Sequence, residues 1–157
     1  MRTTRKFPAQ RGITMVESLV ALVVLSVGML GIASLYIASL KAGRSAMIRT
    51  QAVNLATDIA DRIRSNRAGR GAYDTAGYGG GAKEHGCVGG TCSADELAED
   101  DLARWQTTLT QVMPGNAKGI VTYLAEPVSD VNQYTIVVSW RESGDTADST
   151  TQLVMEL

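Results

Sequence analysis

At 157 residues the chain has room for one domain of ordinary size and little more. Its net charge of −1 conceals strong segregation: residues 1–12 carry four bases and no acid, 13–40 only Glu17, 41–70 seven bases against two acids, and 71–157 four bases against thirteen acids. A basic front and an acidic rear call for different neighbours, and a single histidine with two closely spaced cysteines leaves little material for catalysis or a metal centre.

The chain opens on a short basic leader, Met1–Gly12, with Arg2, Arg5, Lys6 and Arg11. Behind it, the 23 residues from Ser18 to Leu40 carry no formal charge. A helix of that length spans roughly 35 Å, enough to cross a bilayer core. The positive-inside rule leaves the leader in the cytoplasm and exports the chain beyond the apolar run. A secretory signal peptide has an apolar region of roughly 7–15 residues closed by a small-residue site, whereas this run is longer and no A-x-A closes it. On these features alone the segment is an uncleaved anchor.

Glu17 fits that reading poorly. A carboxylate at the centre of a membrane helix costs roughly 2.5–3.5 kcal/mol, less near an interface, so it needs a partner. No Lys or Arg shares its face within the span, and Arg11 sits about one and a half turns upstream. By position, an interfacial snorkelling acid and a functional one both stand.

The basic leader, Gly12 and ITMVESLVALVVLSVGMLG together resemble the class III signal of type IV prepilins. The resemblance implies that a prepilin peptidase cuts the Gly12–Ile13 bond on the cytoplasmic side and that Ile13 becomes the N-methylated terminus. It also makes Glu17 the acid five residues into the mature chain. Cutting turns the Ile13 nitrogen into an amine, and a free α-amino group, titrating near ~7.7–8, is largely protonated at neutral pH. Proteolysis would thus create the cation that Glu17 lacks, in a neighbouring subunit of a staggered filament or within one chain at i, i+4 spacing. Such a pair selects register more than it adds stability, because breaking it strands a charge. Two features depart from the family: it usually begins its mature chain with phenylalanine, and many major pilins have a proline in the span. Here Gly28 and Gly31 are the soft points of the helix.

The helix continues through KAGRSAMIRTQAVNLATDIADRIRSNRAG. Ile48, Ala52, Leu55, Ile59 and Ile63 form one stripe, with Arg44, Arg49, Asp58, Asp61, Arg62 and Arg64 on other faces. Its expected end is near Ala68–Gly69, with Arg62, Arg64 and Arg67 at the negative end of the dipole. Bases here invite a nucleic-acid reading, but no aromatic residue interleaves with them to stack on bases. Nucleic acid is therefore not the expected partner; a solvated face, or contact with acidic heads of neighbouring subunits, is.

Residues 69–90 contain nine glycines and the histidine, His85, an irregular connection. GGGAKEHG lacks the GK[ST] of a phosphate loop. His85, Cys87 and Cys92 fall short of the four ligands of structural zinc, so no metal and no cofactor are expected. Cys87 and Cys92, in CVGGTC, read as a disulfide closing a small loop in an exported domain. SADE at Ser93–Glu96 is a capping box that opens a second helix, apolar at Ala98, Leu102, Trp105, Leu109 and Val112 and stopped by Pro114-Gly115. Its acids, Asp95, Glu96, Glu99, Asp100 and Asp101, crowd the first two turns as a solvated start favoured by the dipole. Three strand-like runs complete the chain: Ile120–Ala125, Gln133–Trp140 and Thr150–Leu157. In the second, Tyr134, Ile136, Val138 and Trp140 alternate with less apolar residues.

The expected class is α+β: a long N-terminal helix whose Ile48–Ile63 stripe packs on a C-terminal antiparallel sheet, with an additional helix. This is the architecture of the type IV pilin fold. CSADELAEDDLARWQTTL, MPGNAKGIV and YTIVVSWRE, with MVESLVALVVLSVGMLG, resemble the PilV family of minor type IV pilins more than major pilins. The expected organisation is a leader (1–12), a transmembrane and filament-core helix (13–40), an amphipathic stem (41–69) and a periplasmic head (70–157). No catalytic constellation is visible. The implied role is a non-enzymatic minor pilin, stored in the inner membrane and later in the pilus, where it primes or caps assembly for adhesion and twitching motility. Its implied partners are membrane lipid, prepilin peptidase, the inner-membrane assembly machinery, other minor pilins and the major pilin. A type II secretion pseudopilin, a DNA- or surface-binding pilin, and an anchored domain unrelated to filaments are the alternatives.

Overall fold

The computed structural model describes residue 12 and residues 14–75, 82–125 and 131–157. By its internal contacts the chain divides into two units, with the boundary between Gly43 and Arg44. One continuous helix, α1, runs Met15–Ser65, 51 residues. In the first unit its side chains are exposed all round, and α1 is long and apolar enough, by length and composition, to cross a membrane. Two of the hydroxyls that interrupt this surface are satisfied on the helix itself: Ser26 Oγ donates to the Val23 carbonyl and Ser34 Oγ to the Gly31 carbonyl, both at 2.8 Å. Neither carries an unmet polar group into an apolar environment.

In the second unit α1 is amphipathic. Ile48, Ala52, Ile59 and Ile63 are buried, Leu55 is half-buried, and Ala56 and Ala60 widen the buried stripe. The α-helix ends at Ser65, short of the expected Ala68–Gly69. A 3-10 helix, Arg67–Tyr73, takes over, so Arg67 lies beyond the α-helical last turn. The tightening has a steric reason: a Cβ on Gly69 would collide with the Ala94 carbonyl oxygen and stand 2.8 Å from Asn66 Nδ2. Only glycine lets the chain pass so close to the start of the next helix.

That helix, α2, spans Ala94–Val112 and begins with the expected capping box. The Glu96 amide donates to Ser93 Oγ (3.2 Å), and the Ser93 amide to Glu96 Oε2 (2.8 Å). Ala98, Leu102, Trp105 and Leu109 are buried as expected, but Val112 is exposed and Met113 is buried instead. Met113 is the C-cap, with extended backbone (φ −94°, ψ 146°), which turns its side chain off the helical spacing and into the core.

Three strands form one antiparallel sheet in the order β1-β2-β3: β1 Lys118–Ala125, β2 Asn132–Trp140 and β3 Ser149–Glu156. Each begins one or two residues before the expected start. β2 alternates as expected, and Val121 pairs with Ile136 and Tyr134 with Met155 on the inner face. One buried cluster joins the stem stripe, the apolar face of α2 and the inner face of the sheet. Trp105 sits within it, fully buried, with Nε1 donating to the Leu55 carbonyl at 2.8 Å. Gly119 of β1 makes room for that indole, since a Cβ there would overlap Trp105 and stand 2.7 Å from Leu109 Cδ1.

Candidate functional site

At the amino end, Gly12 is described and exposed, whereas Ile13 and the basic leader lie outside the described residues. The geometry of the Gly12–Ile13 bond, and of a contact between Glu17 and Ile13, therefore lies outside them too. What is visible is the helix start. The Glu17 amide donates to the Thr14 carbonyl (3.1 Å) and to Thr14 Oγ1 (3.3 Å), and the Ser18 amide to the Thr14 carbonyl (3.2 Å). Thr14 thus caps α1, and T-x-x-E at 14–17 has the spacing of a capping box, a signal missed when Glu17 is weighed only as an intramembrane acid. Glu17 lies in the first turn, where the exposed N–H groups and the dipole favour an anion. Its side chain is exposed, and it meets no cation among the described residues.

In the head, Cys87 and Cys92 are joined, with Cα atoms 5.7 Å apart. The segment that leads into the loop they close is held by acids of α2. With Ala98, Leu102, Trp105 and Leu109 facing the core, 100° per residue puts Asp100 on the opposite side of α2. Yet Asp100 is only 2% exposed, because the chain at His85–Cys87 covers that side. Its Oδ1 accepts the amides of His85 (2.7 Å) and Gly86 (2.9 Å), and its Oδ2 pairs ionically with Arg104 Nε (2.8 Å). Burial alone would raise the Asp100 carboxyl, but these amides and the Arg104 guanidinium outweigh it and hold the group below its usual range. Next to it, His85 Nε2 meets Glu99 Oε2 at 2.8 Å.

A second knot ties the end of α1 to α2. Asp101 accepts Arg62 Nη1 (3.0 Å) and the Tyr73 hydroxyl (2.8 Å), while Arg62 Nε also reaches Asp58 (3.1 Å). Asn66 Nδ2 donates to the Ala94 carbonyl at 2.7 Å. Burial, reinforced by Asp101, pushes the Tyr73 phenol well above its ordinary value. The acidic start of α2 is therefore solvated only in part: Asp95 and Glu96 are exposed, whereas Asp100 and Asp101 organise the two chain segments that flank the glycine-rich stretch. Among the described residues no group of three or more His, Cys, Asp or Glu is arranged to hold a metal. Asp100 and Asp101 bind backbone amides, arginines and the buried Tyr73 hydroxyl, which ties chain segments together.

Two family models match the chain. Residues 8–33 match the prokaryotic N-terminal methylation motif, and residues 34–103 match the Tt1218-like family, described as type IV pilin Tt1218. The first covers the end of the leader, Gly12, Glu17 and most of the apolar run; the second covers the stem, the disulfide loop and the acidic start of α2. No curated protein and no solved structure matches.

Proposed function

We propose that this chain, a type IV pilin with a prokaryotic N-terminal methylation motif and hence a structural subunit rather than an enzyme, serves as a minor pilin of the PilV kind. In this reading it associates with other minor pilins to prime or cap a pilus built mainly of the major pilin. Prepilin peptidase removes residues 1–12 at Gly12–Ile13, Ile13 is methylated, and residues 13–40 anchor the subunit in the inner membrane. The stem, 41–69, and the head, 70–157, stand in the periplasm until the assembly machinery lifts them into the fibre. The observation that carries this reading is the continuity of one word: basic leader, Gly12, Glu17, then a helix exposed and apolar on every side.

Such a helix finds equivalent surroundings in lipid and in a bundle of like helices, so transfer between them exposes no apolar surface to water. Glu17 then sets register. The helix cap accounts for an acid in the first turn of a single subunit but leaves the carboxylate free to meet a neighbour's new amino terminus. A stem that binds DNA is less well supported, because Arg62 and Arg64 already serve Asp58, Asp101 and Asp61. The test is co-purification of the tagged full-length protein from membranes. Recovery of other minor pilins supports the reading; recovery of secretion-system subunits instead overturns it in favour of a pseudopilin.

A further inference from the structure

Trp140, the last residue of β2, is 2% exposed, and its indole Nε1 is the one buried side-chain nitrogen or oxygen among the described residues without a hydrogen-bond partner. The other tryptophan shows the usual solution, with its N–H on the Leu55 carbonyl. A buried donor left unpaired is a standing cost, and native structures seldom keep one without a use. Trp140 borders an open groove of about 400 Å³ whose other walls are Arg49 and Val53 of α1 and Ser149, Thr150 and Thr151 of β3. Arg49 is exposed and makes no ion pair or hydrogen bond among the described residues. The groove thus offers a free guanidinium, hydroxyls and a nearby unmet N–H, and no acid. β3 is also an edge strand, paired only with β2 among the described strands.

We propose that this groove docks an extended segment of a partner protein that presents a carboxylate side chain. The segment adds along the free edge of β3, as extended peptides do on exposed sheet edges. Its carboxylate enters between the Arg49 guanidinium and the hydroxyls of Ser149 and Thr151. There it lies beside Trp140, whose N–H has no partner among the described residues. Val53, half exposed, gives a neighbouring apolar side chain a wall to lie on. Charge selects an acid over its amide, and the strand edge with Val53 selects a peptide over a free anion. The inference does not rest on the minor-pilin reading, and its failure would leave that reading standing.

The test uses the full-length chain in detergent micelles, with the two indole N–H signals labelled with nitrogen-15 and assigned through Trp140→Phe. The probes are a blocked pentapeptide Thr-Val-Asp-Val-Thr, its Asn counterpart, and acetate. The Asp peptide is expected to shift the Trp140 signal saturably and leave the Trp105 signal in place. The Asn peptide, and the Asp peptide on Arg49→Gln, should each bind about tenfold more weakly, the loss of one charge-assisted bond. Arg49 is on the surface, so its replacement leaves the fold intact. Absence of a saturable shift, equal binding of the Asn peptide, or undiminished binding by Arg49→Gln would overturn the proposal. So would acetate binding as tightly as the Asp peptide.

Discussion

Removing the Asp100 carboxylate should loosen the disulfide loop and destabilise the head. Asp100 is 2% exposed, accepts charge-assisted hydrogen bonds from His85 N at 2.7 Å and Gly86 N at 2.9 Å, and forms an ion pair with Arg104 Nε at 2.8 Å. Bonds to a charged group are worth about 1.5–3 kcal/mol each, but they are not additive, and the desolvation of a buried carboxylate offsets part of the sum. Removing one partner of a buried pair costs about 3–5 kcal/mol, which sets the expectation for Asp100→Ala. Asp100→Asn keeps one acceptor oxygen and should cost about 1–3 kcal/mol.

The pH dependence arises from the same contacts. The folded carboxyl lies below its usual 3.8, so its stabilisation is fully present above that value and is lost as pH falls through the folded one. Urea denaturation of the full-length protein in micelles, disulfide intact, measures this with the head followed by tryptophan fluorescence. The gap between wild type and Asp100→Asn should be largest near neutrality and shrink below about pH 4. A cost under about 1 kcal/mol for Asp100→Ala, or a gap that is flat between pH 7 and 3, would refute the clamp.

Gly119→Ala drives a methyl into Trp105 and Leu109 and should cost about 1–3 kcal/mol by overpacking, seen as a lower urea midpoint with an unchanged slope. Replacing Cys87 and Cys92 together with serine opens a loop with a sequence separation of 5; chain entropy puts the loss at about 2 kcal/mol, measured the same way. Glu17→Ala should be cut at the leader as the wild type is, yet enter sheared pili at about a tenth of the wild-type level, a difference of about 1.4 kcal/mol. Thr14→Ala costs only a helix cap, about 1 kcal/mol, and should enter pili nearly normally; equal defects in both variants would mean that Glu17 acts through the helix start.

The legible parts of the fold were those in which a side chain answers to the core. The stripe Ile48–Ile63, the face Ala98–Leu109 and the alternation in β2 repeat at the period of their element, and all three meet in one cluster. Ends were harder, because they depend on single contacts between distant segments. The stop at Ser65 reflects a glycine pressed against Ala94, 25 residues on, and Met113 replaces Val112 through one extended backbone residue. The clamp was not legible at all. Asp100 lies opposite the apolar stripe, where periodicity indicates solvent, and it is covered there by the chain at His85–Gly86, which has no period of its own. Thr14-x-x-Glu17 was legible, but the low dielectric expected around Glu17 drew attention from the ordinary capping signal beside it.

All of the filament chemistry presumes that the chain is cut before Ile13 and that the new amine survives as a cation beside Glu17. Intact-mass spectrometry of the protein purified from membranes of cells that possess a prepilin peptidase reads this directly. The mass should correspond to residues 13–157 plus one methyl group. A full-length mass in those cells would mean that the cation is never made, and the pairing of Glu17 with a neighbour would have no chemical basis.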